Sequence, residues 1–269
     1  MDLTTINTRG LVLLGCGKMG SALLEGWLAQ GVDAGSVYVI DPKPSEWVTA
    51  QGVHLNAALP DAPALVVIAV KPQMMGDALP SLQSFGAETV YLSIAAGTPI
   101  AAFEHAFGPS ARIIRSIPNT PAAIGMGITG IVGNAKASDS DMDLAEALLR
   151  AVGEVVRLND EEEIDAVTGV SGSGPAYVFH LIETLAAAGE AQGLSAEVSM
   201  KLAKATVAGA GQLAMQANET PAQLRMNVTS PNGTTQAALE VLMDEESGFP
   251  NLLTRAVAAA SDRGRELRG

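Results

Sequence analysis

A single cysteine, Cys16, stands in this chain of 269 residues, so no internal disulfide can form and a reducing compartment is expected. Aromatic residues are scarce at 4%, so the core must come from Ala, Val, Leu and Ile, in a sequence that is 48% hydrophobic overall. Basic residues are outnumbered, 16 Lys and Arg against 29 Asp and Glu, which leaves a formal net charge of −13. A surface of that sign repels phosphate backbones, and no basic run reverses it locally, so no nucleic-acid partner is expected. Long apolar runs are missing as well: "ALVVIAV", Ala64–Val70, is far too short to span a bilayer. The opening "MDLTTINTRG" has no basic stretch followed by an apolar one, so it does not read as a secretory signal. The three histidines lie outside the motifs described below, and no metal site is expected. These absences together predict a cytoplasmic protein that engages neither membrane nor nucleic acid.

What is present falls into two parts. Short apolar, β-rich runs occur at Leu11–Leu14, Val37–Ile40, Leu65–Val70, Thr89–Ile94, Arg112–Ile117, Ile128–Val132 and Glu154–Arg157. Helix-like stretches separate several of them, at Met19–Gln30, Glu46–Gln51, Ile100–Phe107 and Asp141–Ala151. Strands alternating with helices predict βαβ units and a mainly parallel sheet. After Asn159 the acidic "NDEEEID" reads as a linker or a helix start, and the β-rich runs stop. Helical segments follow, at Ala176–Gln192, Ala196–Gln216, Pro221–Val228, Thr235–Asp244 and Pro250–Glu266. Pro175 and Pro221 suit first helical positions, and Ser195 and Thr220 suit N-caps. The chain thus divides into an α/β domain, residues 1–159, and an all-α domain, residues 160–269. "KLAKATVAGAGQLAMQ" is rich in small residues, which suits either bundle packing or a subunit interface.

Gly15, Gly17 and Gly20 spell G-x-G-x-x-G between a predicted strand and a predicted helix. In that setting the first glycine permits the turn, the second admits a pyrophosphate, and the third lets helix pack on strand. Asp41 closes the next strand, where a carboxylate accepts hydrogen bonds from an adenosine ribose and repels a 2′-phosphate. That reading predicts NADH over NADPH; Lys43, two residues on, argues the other way, and Asp41 also suits plain turn chemistry before Pro42. "IAVKPQ", "SIAAGTP" and "RSIPNTPAAIG" end three further strands with polar, small or proline-containing loops. Ligands of open α/β sheets bind beyond such strand ends. The expected coenzyme contacts are therefore Gly15, Gly17, Lys18, Met19, Gly20 and Asp41, with Ala69, Val70, Lys71, Pro72, Ala95, Ala96, Gly97 and Asn119.

Two turns of the helical part offer open amides to an anion. "GVSGSGPAYVF", Gly169–Phe179, reads as a helix entry with exposed N–H groups, and "NVTSPNGTTQAAL", Asn227–Leu239, as a second. The first is no hydrolase nucleophile elbow, because Ser173 stands where that motif needs glycine and no strand precedes it.

"GCGKMG", "AVKPQ", "IPNTPAAIG", "VSGSGPAYVF" and "VTSPNGTT" occur in this order over nearly the whole chain, which resembles the pyrroline-5-carboxylate reductases. The resemblance implies a Rossmann-type mainly parallel sheet followed by an all-α dimerisation domain. It implies reduction of the C=N bond of 1-pyrroline-5-carboxylate to L-proline, the last step of proline biosynthesis, with NADPH or NADH as coenzyme. It implies a homodimer that assembles further into a decamer, a pentamer of dimers. Substrate contacts carry over to Val228, Ser230, Asn232, Gly233, Thr234 and Thr235, with Thr235 as the catalytic partner of the ring nitrogen. Asn56 carries over as a ribose contact. Two residues depart from the family pattern: Asp41 replaces a common Ser or Thr, and Asn232 replaces the first glycine of the turn. Asn tolerates left-handed backbone, so the turn is expected to survive.

A protonated imine is already electrophilic, which suits a site without histidine. Two other readings compete. A β-hydroxyacid dehydrogenase would need a lysine base on the helix after "SGSGPAYVFH", and none is there. A non-catalytic nucleotide sensor would bind coenzyme without turnover.

Overall fold

The computed structural model describes residues 4–268. They divide into two compact units: residues 4–172 with 260–268, and residues 173–259.

The first unit is built on one sheet of eight strands. In chain order these are β1 (Leu11–Leu14), β2 (Val37–Ile40), β3 (His54–Leu55), β4 (Leu65–Ile68), β5 (Val90–Ser93), β6 (Arg112–Ile117), β7 (Gly127–Gly133) and β8 (Gly153–Arg157). The spatial order is β3-β2-β1-β4-β5-β6-β7-β8, parallel throughout except where β7 runs antiparallel to β6. Chain order reverses between β1 and β4, which pair at Leu14↔Ile68, so the crevice beyond their ends is the topological switch point.

Alternation with period two explains the layers. Leu11, Leu13, Leu65, Val67, Val90 and Leu92 join one apolar cluster; Val12, Leu14, Val66, Ile68, Tyr91 and Ile113 join another. β1 and β4 are buried at every residue, as parallel strands covered on both faces must be. Each such aliphatic side chain contributes about 1.5–3 kcal/mol by leaving water. The helices of this unit are α1 (Thr4–Arg9), α2 (Lys18–Ala29), α3 (Glu46–Thr49), α4 (Met75–Ala78), α5 (Ile100–Phe107), α6 (Asp139–Leu149) and α7 (Glu163–Val167). Trp27 of α2 is fully buried and donates from its indole nitrogen to the Leu148 carbonyl at 2.9 Å, tying α2 to α6.

The second unit holds α8 (Gly174–Ala191), α9 (Ala196–Gln216), α10 (Pro221–Asn227), α11 (Thr234–Leu242) and most of α12 (Phe249–Arg268). Ser195 and Thr220 cap α9 and α10, each hydroxyl accepting the amide three residues on. Pro221 opens α10 at its first position. The entry to α8 departs from expectation. Thr168–Gly172 form a π-helical turn and Ser173 keeps helical angles (φ −88°, ψ −20°) without capping by its side chain. The amides that an extended entry would leave open follow a helical course instead, because local helix continues through the glycines.

Burial in this unit is sparse. Among its large apolar side chains, Phe179, Leu202, Leu213, Met215, Val228 and Val241 are exposed, while the buried apolar residues are Ala186 and Ala203. Helices that leave such faces in water carry an association surface.

Candidate active site

The glycine turn between β1 and α2 is built with different demands on each glycine. Gly15 has φ +89°, and a β-carbon there would lie 2.9 Å from Val70 Cγ1 and 3.0 Å from the Ala69 carbonyl oxygen. A β-carbon on Gly20 would lie 2.5 Å from the Gly15 carbonyl oxygen. Both glycines are therefore required by the protein's own packing. Gly17 differs: among the described residues nothing lies within 4 Å of its β-carbon position, and it is the N-cap of α2 with no side-chain cap of its own. Its neighbours Lys18 and Met19 begin the helix, so the first amides of α2 and its positive dipole end border that open space. This is the fit a pyrophosphate needs.

Asp41, at the end of β2, is tied to the same turn. Its Oδ2 accepts the Cys16 amide at 2.7 Å, and its Oδ1 accepts the Lys43 amide at 2.8 Å. The second bond is the turn chemistry before Pro42; the first is one that spacing rules do not signal. Asn56, in left-handed backbone at φ 49°, brackets the main chain of Asp41: its Oδ1 accepts the Asp41 amide at 3.0 Å and its Nδ2 donates to the Asp41 carbonyl at 2.8 Å. Asn56 thus fixes the main chain of Asp41 at the end of β2. The carboxylate stays partly exposed at the end of β2 and contributes negative charge there. Cys16 is 5% exposed, and burial pushes its thiol pKa up, which leaves it a packing residue rather than a nucleophile.

Further along the strand ends, Ala69 donates its amide to the Leu14 carbonyl at 2.8 Å, and Val70 packs on Gly15. Lys71 and Pro72 are exposed, with Pro72 opening a short 3₁₀ turn. Ala95 is buried and takes the Ser93 hydroxyl as acceptor for its amide; Ala96 is exposed, and Gly97 turns at φ +77°. Asn119 is buried after β6, and its Oδ1 accepts the Ile128 amide at 3.0 Å, so at least half of its side chain serves the β6–β7 connection. β2, β1, β4 and β5 are successive neighbours in the sheet, which spaces Asp41, the glycine turn, Ala69–Pro72 and Ala95–Gly97 over about 14 Å along one edge.

The serine-proline turn of the second unit is equally defined. Asn232 is left-handed at φ 58°, as its side chain permits. Gly233 is the N-cap of α11 and donates to the Ser230 carbonyl at 3.0 Å; a β-carbon on it would lie 2.4 Å from Ser230 Oγ. The Asn232 amide donates to Gln236 Oε1 at 2.8 Å, which fixes the approach to the helix. Thr234 and Thr235 occupy the first two positions of α11, where amides have no intrahelical acceptor. Val228 and Ser230 are exposed beside them. α8 carries no lysine, and His180 on it is a surface residue facing Glu183, so the general base of a β-hydroxyacid dehydrogenase is missing.

Comparison with known proteins agrees with this geometry. Residues 161–267 match the family described as pyrroline-5-carboxylate reductase dimerisation, and residues 10–97 match the NADP oxidoreductase, coenzyme F420-dependent, family. A pyrroline-5-carboxylate reductase of Pseudomonas aeruginosa is 41% identical over 97% of this chain and 98% of its own. The structure of the Coxiella burnetii pyrroline-5-carboxylate reductase superposes with a TM-score of 0.90 at 33% identity, covering 98% of this chain and 100% of that one. A Plasmodium falciparum pyrroline carboxylate reductase with NADP bound gives 0.82 at 26% identity, over 98% and 99% of the two chains. The matches run through the nucleotide cradle and the serine-proline turn alike, and the chain belongs to the pyrroline-5-carboxylate reductase family.

Proposed function

We propose that this protein is an NAD(P)H-dependent oxidoreductase that reduces the C=N bond of 1-pyrroline-5-carboxylate to give L-proline, the last step of proline biosynthesis. The observation that carries the reading is Gly17, whose open side borders the first amides of α2 in a chain that also bears the family's serine-proline turn. When bound, the reduced nicotinamide supplies the hydride. Gly15, Gly17, Lys18, Met19 and Gly20 hold the pyrophosphate, and Asp41 with Asn56 holds the adenosine ribose. Ala69, Val70, Lys71, Pro72, Ala95, Ala96, Gly97 and Asn119 line the rest of the coenzyme site. Asp41 also sets a preference: its carboxylate accepts ribose hydroxyls and opposes a 2′-phosphate, so NADH is favoured over NADPH.

The substrate is a small acid whose imine carbon is electrophilic and whose ring nitrogen takes a proton. Amides of Thr234 and Thr235, with Gly233, Ser230, Asn232 and Val228 beside them, bind its carboxylate end. The Thr235 hydroxyl holds the imine nitrogen and delivers or relays its proton as the bond is reduced. Holding imine carbon and hydride donor at contact distance supplies much of the rate, so no histidine is required. We assign residues 1–159 to coenzyme binding and residues 160–269 to dimerisation and substrate binding. Exposed apolar faces on α8, α9 and α11 support a homodimer, and the assembly is a pentamer of such dimers. Cys16, free and buried, suits the reducing cytoplasm.

The test is imine-dependent oxidation of NADH or NADPH by the purified protein, followed by absorbance. Turnover that requires 1-pyrroline-5-carboxylate supports the reading; coenzyme binding without turnover would leave a sensor, and turnover of 3-hydroxy acids alone would leave the β-hydroxyacid reaction.

A further inference from the structure

The loop from β5 to α5, residues 94–99, is hydrogen-bonded at its two ends. At the start, the Ile94 amide donates to the Ile68 carbonyl at 3.1 Å, the Ala95 amide to Ser93 Oγ at 3.2 Å, and the Ser116 hydroxyl to the Ser93 carbonyl at 2.8 Å. At the far end the N-cap of α5 is Pro99, which has no side chain able to accept a hydrogen bond. The first amide of α5, on Ile100, instead donates to Glu161 Oε1 at 2.8 Å, 61 residues along the chain.

Glu161 is itself held by a buried cation. Arg115, in the middle of β6, is 2% exposed and donates from Nη1 to the same Glu161 Oε1 at 2.6 Å. Among the described residues its Nε has no partner, and the Glu161 carboxylate is the charge that balances it. A buried guanidinium with one carboxylate partner fixes that carboxylate in place. The acidic segment reaches the same loop by a second route. Asp165, 3% exposed, pairs with Arg268 of α12, and the neighbouring Leu267 lies 3.6 Å from the β-carbon position of Gly97, the left-handed residue of the loop.

We infer that Glu161, oriented by Arg115, is a positioning residue that shapes the loop 94–99 for the nicotinamide half of the coenzyme. The inference rests on the coenzyme site proposed above: with Asp41 taking the adenosine ribose and the glycine turn the pyrophosphate, Ala95–Gly97, further along the same edge, fall beside the nicotinamide half. Glu161 touches neither coenzyme nor substrate; it acts through the Ile100 amide. The consequence is a selective defect. Loss of the carboxylate releases the loop, while the glycine turn, two strands away, and Asp41, three strands away, keep their own hydrogen bonds.

The experiment compares two ligands on the full chain: NADH by its fluorescence, and ADP-ribose, which lacks the nicotinamide, by competition. Glu161→Ala is expected to weaken NADH about tenfold, the equivalent of one hydrogen bond to a charged group, while ADP-ribose affinity changes less than about twofold. Glu161→Gln keeps an acceptor for the Ile100 amide and is expected to restore most of the NADH affinity. Should Glu161→Ala fail to fold because Arg115 is left without a counter-charge, Arg115→Met/Glu161→Ala removes that charge and is expected to show the same selective loss. Equal weakening of both ligands, or of neither, would overturn the inference. A parent protein that binds neither ligand would instead overturn the coenzyme reading beneath it.

Discussion

Replacing Gly17 by alanine separates folding from coenzyme binding. The backbone there (φ −71°, ψ −160°) suits any residue, and no atom lies within 4 Å of the new methyl group. Restricting the unfolded chain stabilises such a variant by about 0.4–1 kcal/mol. Glycine's advantage over alanine as an N-cap offsets that by a similar amount, so unfolding in urea should shift by less than about 0.5 kcal/mol. The methyl group does occupy the space through which a phosphate approaches the first amides of α2. Hydrogen bonds to a charged group contribute about 1.5–3 kcal/mol, so NADH should bind about 10- to 150-fold more weakly. Gly20→Ala provides the contrast, because its methyl group would meet the Gly15 carbonyl oxygen at 2.5 Å. Overpacking of that kind costs about 1–3 kcal/mol and should appear in the urea midpoint itself. Fluorescence titration with NADH beside denaturation of the same preparations makes the comparison. A Gly17→Ala protein of unchanged stability that binds NADH as the parent does would refute the assignment of this turn to the pyrophosphate.

Three other outcomes follow from the same geometry. Thr235→Ala should lower kcat by about 10²-fold or more, as loss of a proton-handling group does, with Thr235→Ser recovering part of it; steady-state kinetics on the imine substrate checks this. Asp41→Ser should raise kcat/KM with NADPH and lower it with NADH, shifting the ratio by about tenfold or more; an unchanged ratio would remove Asp41 from coenzyme selection. Tyr91, 1% exposed with its hydroxyl donating to the Phe85 carbonyl, has its pKa pushed up to about 12 by burial. Unfolded chains ionise near pH 10, so the stability is intact below that value and falls as pH rises toward 12, by at most about 1.4 kcal/mol per pH unit. Tyr91→Phe should flatten that alkaline slope in chemical denaturation.

Much of the fold was legible because burial imposes a period. "LVLL", "VYVI" and "RIIRSI" became strands over the residues that the apolar pattern marks, and α9 runs over Ala196–Gln216 as its cap and composition indicate. The strand of "LVVIAV" ends at Ile68, two residues before its apolar run, because Ala69 and Val70 turn to pack on the glycine cradle. β3 has only two residues at the sheet edge, too short for any period to register. α1 has no apolar spacing to mark it, since only Ile6 on it is buried. In the candidate site, glycines and the Ser-Pro-Asn-Gly turn announce themselves through backbone need. Long-range bonds do not. Cys16 to Asp41 spans 25 residues and Arg115 to Glu161 spans 46. "NDEEEID" reads as a linker or a helix start, yet its Glu161 pairs with the buried Arg115, and its Asp165, itself buried, pairs with Arg268. The available signal was the arginine inside an apolar strand, since a cation there demands a carboxylate from elsewhere.

The central claim is that this chain moves a hydride from reduced nicotinamide to the carbon of a cyclic imine. Turnover with coenzyme carrying deuterium at the transferred position, followed by mass spectrometry and NMR of the product, tests it directly. The account predicts L-proline bearing one deuterium on the ring carbon that held the double bond. Proline without deuterium, or oxidised coenzyme with no proline formed, would contradict it.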